Sequence, residues 1–230
     1  MINSKEHWYK FLLNEILTGC ENGKPDAIKD NKLSIVTFNY DVSLEYFLYS
    51  RLLKMSYFQK GVDNFARDFL ENLDIEHVYG KIRNINRGNY DGYGSNSGGE
   101  YNNSIRVIGE RGANIQNIKD KIRDSERVFI LGYGFPEENN NFLNMEDIFD
   151  VIITDNRSPE TFRVSLKKEV VITNTGDSRI IHSYIRKKIE ANCKKSISSF
   201  SARIKLDEVG NLTISTKTLE ESMGSDFNFS

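Results

Sequence analysis

Along this chain, segments whose hydrophobic residues recur at helical spacing alternate with short hydrophobic runs that are typical of strands. Apolar residues at helical spacing, such as Trp8, Phe11, Leu12 and Ile16, predict helices, and short β-branched or aromatic runs predict strands. The predicted helices lie at about residues 4–20, 43–55, 62–73, 115–123, 140–149 and 181–189. The predicted strands lie at about residues 34–38, 75–82, 127–135, 151–154 and 170–173.

Strands that alternate with helices predict an α/β fold with a doubly wound parallel sheet. Residues 199–217 predict a C-terminal hairpin that turns at Val209-Gly210-Asn211, followed by a polar, frayed tail. We therefore expect an N-terminal helix and linker over 1–32, an α/β domain over 33–195, and a C-terminal hairpin and tail over 196–230.

Residues 83–104 interrupt the periodic pattern with Asn, Gly, Ser and Tyr, and this composition favours a flexible or substrate-covering loop. A glycine-rich phosphate cradle is the alternative, but the segment has no strand-to-helix context and no Lys-Ser/Thr ending. The basic run Arg186-Lys187-Lys188 favours a solvated helix face over a nucleic-acid patch.

Composition narrows the possible partners. The chain has 230 residues with a formal net charge of −2, so no strong field draws it to nucleic acid or an anionic membrane. No apolar run approaches about 18 residues, so we expect no membrane span. Three His and two widely spaced Cys predict no metal site, and we expect a reduced, cytoplasmic setting.

Polar side chains cluster where the first predicted strand ends. Thr37, Asn39 and Asp41 lie between this strand and the next helix, at the carboxyl edge where α/β sheets usually bind ligands. The alternative is structural, because an Asn-x-Asp sequence also forms an Asx turn and a helix cap.

A second group lies at the end of the next predicted strand. His77 and Tyr79 are two residues apart, so in a strand they share one face. A histidine takes a proton near neutral pH far more readily than a tyrosine does, so His77 is the candidate general base and Tyr79 would position it. The alternative is that His77 only satisfies a hydrogen bond at the strand edge.

A third group follows the clearest predicted strand. In Gly132-Tyr133-Gly134-Phe135 the small residues would let a ligand approach the backbone closely. As a dinucleotide fingerprint the stretch is weak, because Glu137 stands where the third glycine is required.

Taken in order, these stretches resemble sirtuins, the silent-information-regulator-type proteins that process NAD. Thr37-Phe38-Asn39-Tyr40-Asp41 is similar to their Thr-Gln-Asn-Ile-Asp signature. With Leu44-Glu45 following, it is closer to bacterial sirtuin-like proteins, many of which hydrolyse NAD in antiphage defence. The resemblance covers about residues 33–190 and implies a Rossmann-like fold.

The resemblance also implies roles for individual residues. Asn39 would position the nicotinamide ribose or a water, and Asp41 would hold the nicotinamide amide, with Thr37 beside them. His77 would act on a ribose hydroxyl, although in this chain Tyr79, and not a histidine, directly precedes Gly80. The residues implied to border the ribose and phosphate groups of NAD are Gly132, Tyr133, Gly134 and Asn174.

Two features of sirtuins are missing from the sequence. No glycine-rich diphosphate loop precedes Ser34, so by this resemblance we expect an N-terminally incomplete fold. Three explanations stay open: the chain is a fragment, a protein partner or N-terminal segment completes the sheet, or the fold is rewired. A four-cysteine zinc module is also missing, which argues against deacetylation. The open alternatives are an NAD hydrolase, an inactive nucleotide- or protein-binding module, and a nonfunctional remnant, with oligomer formation undecided.

Overall fold

The computed structural model describes residues 4–18, 32–54, 62–81, 115–154, 163–173, 178–197, 200 and 203–215. The chain divides into two compact units, the first ending at Ile115 and the second beginning at Gln116. Helices and parallel strands occur in both, so the predicted α/β class is confirmed. The domain boundaries expected from the sequence stay a prediction.

In its described residues, the first unit combines a small parallel sheet with three helices. Strands β1 (Ser34–Thr37) and β2 (Asp74–His77) run parallel, with Ser34 opposite Asp74 and Thr37 opposite His77. The helices are α1 (Ser4–Thr18), α2 (Ser43–Lys54) and α3 (Val62–Asn72).

The core of the first unit lies among these helices. Leu44, Phe47, Leu48, Leu52 and Met55 recur at helical spacing, which predicts the inner face of α2. The first four are buried, and Met55 lies outside the described residues. These four buried residues pack in one cluster with residues of α1 and α3, namely Leu12, Leu13, Ile16, Ala66 and Phe69. This packing fixes the start of α2 beside the ends of β1 and β2.

The second unit is organised around the long strand β5 (Arg163–Thr173). Strand β5 runs parallel to β3 (Arg127–Leu131) and β6 (Gly210–Ser215), and antiparallel to β4 (Val151–Thr154). The helices are α4 (Ile115–Asp124), α5 (Glu137–Leu143) and α6 (Ser178–Ser196), with short 3-10 helices at Met145–Phe149 and Leu206–Glu208. Its fully buried side chains include Phe149, Leu166, Val170, Ile172, Ile185 and Ile189.

The prediction that all strands are parallel is wrong for β4 and β5. Only residues 155–162 connect them, whereas a parallel connection needs a crossover of about a dozen residues or more. The pair is therefore antiparallel and the sheet is mixed. Strand β5 also begins seven positions before the predicted start at Val170.

The predicted C-terminal hairpin is also wrong. Strand β6 begins at Gly210 and pairs in parallel with β5, and the described residues just before it, 203–209, form no strand. The turn signal has a local basis, because Asn211 takes the left-handed φ of 62°. Gly210 pairs with Ser165, and an added Cβ would clash with the Ser165 hydroxyl, so the glycine permits close strand approach.

Candidate functional site

The parallel register of β1 and β2 brings together five of the residues predicted from the sequence. Thr37 and His77 are register partners at the carboxyl ends, and the Val78 amide donates to the Thr37 carbonyl at 2.9 Å. Asn39 and Asp41 follow directly after β1, and Tyr79 follows directly after β2. These residues, with the start of α2, form what we call the carboxyl-edge site.

His77 is the centre of this site and is tied to two other segments. Its Nδ1 lies 2.8 Å from the main-chain oxygen of Asn39. Its Nε2 lies 2.8 Å from Oε1 of Glu45, in the first turn of α2. Both side chains are buried, with 3% of His77 and 8% of Glu45 exposed, and the Lys81 ammonium lies 3.9 Å from the same carboxylate oxygen.

Both ring nitrogens of His77 face oxygen atoms, and this constrains where the protons are. The Asn39 carbonyl can only accept, so Nδ1 carries a hydrogen. The bond between Nε2 and Glu45 needs one further proton, either on the imidazole as an ion pair or on the carboxyl group. In both cases neither ring nitrogen has a free lone pair, so His77 cannot accept a substrate proton until a ring nitrogen loses its hydrogen or its bond to a protonated Glu45.

The loop between β1 and α2 is held by side chains that bind its own backbone. The Asn39 amide donates to Oγ1 of Thr37 at 3.1 Å, and the Ser43 amide donates to Oδ1 of Asp41 at 3.0 Å. These are the local turn and helix-capping bonds that the structural alternative predicts. Thr37 and Asp41 thus serve the fold whatever else they bind, while Asn39 and Asp41 remain exposed.

Aromatic rings border the same site. The ring centroid of Tyr79 lies 5.8 Å from that of Phe38 and 6.2 Å from that of Tyr40. Tyr40 is 41% exposed. Tyr79 lies in the turn that ends β2, where the Gly80 amide donates to the His77 carbonyl at 3.0 Å and Gly80 has a φ of 77°. The predicted strand to residue 82 therefore stops at His77.

The glycine stretch belongs to the second unit and forms its own group there. Gly132 has a left-handed φ of 63° and donates to the Thr173 carbonyl at 2.8 Å. Tyr133 donates to Oδ1 of the buried Asn140 at 3.1 Å, and Asn140 Nδ2 donates to the Phe135 carbonyl at 2.7 Å. The turn after β3 is therefore fixed by side chains, and Asn174 lies outside the described residues.

Gly134 differs from Gly132 in its backbone conformation and not in the space around it. No heavy atom lies within 4 Å of the position a Cβ would take at either glycine, but only Gly132 has a positive φ. Nothing in the described part of the chain therefore requires glycine at 134.

Glu45 is the site residue that sequence analysis did not select. A signal was present, since Glu45 lies three and seven residues before Leu48 and Leu52, which places it on the buried face of α2. An acidic residue at a core position is rarely buried without a partner. Its partner, His77, is 32 residues away and could not be read from spacing.

Comparisons with known proteins find no relative: no protein-family model matches the chain, and no curated protein or solved structure does. Among the described residues, no group of three or more His, Cys, Asp or Glu could hold a metal ion. Within the same ranges, no helix is long and apolar enough to cross a membrane. The likeness to sirtuins thus depends on the stretches around Asn39, His77 and Gly132.

Proposed function

We propose that this chain is a sirtuin-like protein that binds NAD, or a related nucleotide, at the carboxyl-edge site. The observation that carries the proposal is the parallel pairing of β1 and β2, with Thr37 opposite His77 and exposed Asn39 and Asp41 just beyond. Ligands of open α/β sheets bind outside the carboxyl ends of parallel strands. The order of the three sirtuin-like stretches along the chain supports the same ligand.

The exposed side chains have the chemistry that this ligand needs. Asn39 offers an amide that both donates and accepts, which suits a ribose hydroxyl or a water beside it. The Asp41 carboxylate accepts from the Ser43 amide, and a carboxylate has acceptor capacity for a further donor such as the nicotinamide amide.

The geometry supports nucleotide binding more strongly than it supports hydrolysis of NAD. Attack at the ribose needs a base, and both nitrogens of His77 are occupied, by Asn39 and Glu45. Tyr79 is the residue next to Gly80, and a phenol is a poor base at neutral pH. We therefore infer a nucleotide-binding module, which in the setting of the resemblance would serve bacterial antiphage defence.

Hydrolysis of NAD is the second candidate, and the Glu45–His77 pair favours it. A carboxylate that holds one imidazole nitrogen is a common way to orient the other nitrogen as a base. If the bond to Asn39 broke and Nδ1 gave its hydrogen to water, Nδ1 could take a proton from the substrate while the Glu45 carboxylate accepted from Nε2–H. Water would then add to the ribose carbon, the bond to nicotinamide would break, and ADP-ribose, nicotinamide and a proton would be released.

One assay separates the two candidates. The purified full chain is titrated with NAD by calorimetry while nicotinamide is measured by chromatography in the same samples. We expect saturable binding that stabilises the fold by about 2.7 kcal/mol at a concentration 100 times the Kd. Asn39→Ala should weaken binding, whereas Asn72→Ala, an exposed amide at the end of α3, should not.

Nicotinamide release that is lost in His77→Ala would establish the hydrolase. Binding without release would establish the module. If NAD, ADP-ribose and nicotinamide mononucleotide all fail to bind at millimolar concentration, the proposed function is refuted. Far-UV circular dichroism of each variant shows whether a loss reflects the site or the fold.

A further inference from the structure

We propose that Tyr40, beside Tyr79, is the stacking surface for the flat heteroaromatic ring of the bound nucleotide. This inference rests on the proposed function and names the group that the carboxyl-edge site would recognise. Tyr40 lies between Asn39 and Asp41, the two exposed polar residues of that site.

The first support is the exposure of Tyr40 combined with its ring contacts. Tyr40 is 41% exposed, yet its ring centroid lies 6.2 Å from that of Tyr79 with an interplanar angle of 31°. Tyr79 in turn packs beside Phe38 at 5.8 Å. Aromatic rings favour such offset or tilted arrangements, so a further ring can extend the same row.

The second support is the fixed backbone that carries Tyr40. Hydrogen bonds hold the residue before it through the Asn39 amide and carbonyl, and the residue after it through the Asp41 carboxylate. The histidine that binds the Asn39 carbonyl is itself held by buried Glu45. An aromatic side chain on such a loop has little backbone entropy to lose when a ligand binds.

Exposure alone would not distinguish Tyr40, because single exposed apolar side chains are normal on protein surfaces. Leu53, in the last turn of α2 and away from the carboxyl-edge site, is 40% exposed, nearly the same fraction as Tyr40. We assign a ligand to Tyr40 because it lies between two polar residues of the site. Leu53 therefore serves as the matched control.

The ligand chemistry is that of a planar nitrogen heterocycle. Stacking of a nucleobase on an aromatic side chain contributes about 1–3 kcal/mol, which corresponds to roughly 5- to 150-fold in Kd. The nicotinamide ring of oxidised NAD carries a positive charge, and a cation over the face of a tyrosine is attracted further. Adenine, at the other end of NAD, would stack by the same contacts without the charge.

The experiment compares four chains with three ligands. Calorimetry measures the Kd of NAD, ADP-ribose and nicotinamide mononucleotide for the wild type, Tyr40→Ala, Tyr40→Phe and Leu53→Ala. We expect Tyr40→Ala to weaken NAD binding roughly 5- to 100-fold. Tyr40→Phe, which keeps the ring, should stay within about 3-fold of the wild type, and Leu53→Ala should be unchanged.

The two shorter ligands identify the stacked ring. Weakening for nicotinamide mononucleotide but not for ADP-ribose assigns nicotinamide, and the reverse assigns adenine. Wild-type affinity of Tyr40→Ala for NAD overturns the inference and leaves the proposed function standing. Failure of the wild type to bind any of the three ligands refutes both, and Tyr40→Phe guards against a folding defect.

Discussion

The buried pair of Glu45 and His77 gives the sharpest prediction about this protein. Glu45→Ala removes the carboxylate at 2.8 Å from Nε2 and leaves His77, with 3% of its side chain exposed, without a partner there. Removing one member of a buried ion pair costs about 3–5 kcal/mol, and a hydrogen bond to a charged group contributes about 1.5–3 kcal/mol. Lys81 adds little, because it is 37% exposed and 3.9 Å away.

We therefore expect Glu45→Ala to lower the free energy of unfolding by about 3 kcal/mol, out of an ordinary total of about 5–15 kcal/mol. Glu45→Gln is the matched variant, because it keeps the side-chain length and an oxygen that can accept from Nε2. Its expected cost is about 1–2 kcal/mol. A double-mutant cycle of Glu45→Ala with His77→Ala should give a coupling energy of about 1.5–3 kcal/mol.

The assay is equilibrium unfolding in urea, followed by far-UV circular dichroism and by the fluorescence of Trp8, the single tryptophan. Trp8 packs against the core of the first unit and its ring lies 4.4 Å from that of Tyr9, so its emission reports on the unit that holds the pair. A loss below about 0.5 kcal/mol in Glu45→Ala, or a coupling energy near zero, would contradict a stabilising buried pair, since only exposed ion pairs contribute so little.

Three further predictions concern the second unit. Gly132→Ala should lower the free energy of unfolding in urea by about 1 kcal/mol, because the φ of 63° is unfavourable for alanine. Gly134→Ala should lower it by less than half of that, and equal losses would contradict the conformational argument. The buried hydroxyl of Tyr184 has no hydrogen-bond partner among the described residues, so Tyr184→Phe should raise the free energy of unfolding by about 1 kcal/mol at pH 7. Burial raises the pKa of Tyr184 to about 12, so the unfolded chain ionises first and stability should fall between about pH 10 and pH 12, less steeply in Tyr184→Phe. Burial raises the pKa of the Cys193 thiol to about 11. In a Cys20→Ser chain, a thiol reagent at pH 8 should therefore modify Cys193 only under unfolding conditions. Rapid labelling of the folded chain would contradict the burial of Cys193.

The helical faces and most strand positions could be predicted from the sequence, because they depend on local period. Leu44, Phe47 and Leu48 recur at the helical repeat and are buried in α2. The proximity of Asn39 to His77 could also be expected if β1 and β2 are parallel neighbours, because the carboxyl ends of such strands meet at one edge of the sheet.

The residue pattern was sufficient to predict α2 and the end of β1, each to within one residue, and the polar groups that follow β1. The pattern could not predict that β4 runs antiparallel to β5, that β6 pairs with β5 in parallel, or that Glu45 binds His77. Side-chain period reports which face of an element is buried, whereas strand pairing and buried hydrogen bonds join residues far apart in the chain. His77 is the clearest case, since its two partners come from a loop and a helix that only folding brings to the end of β2.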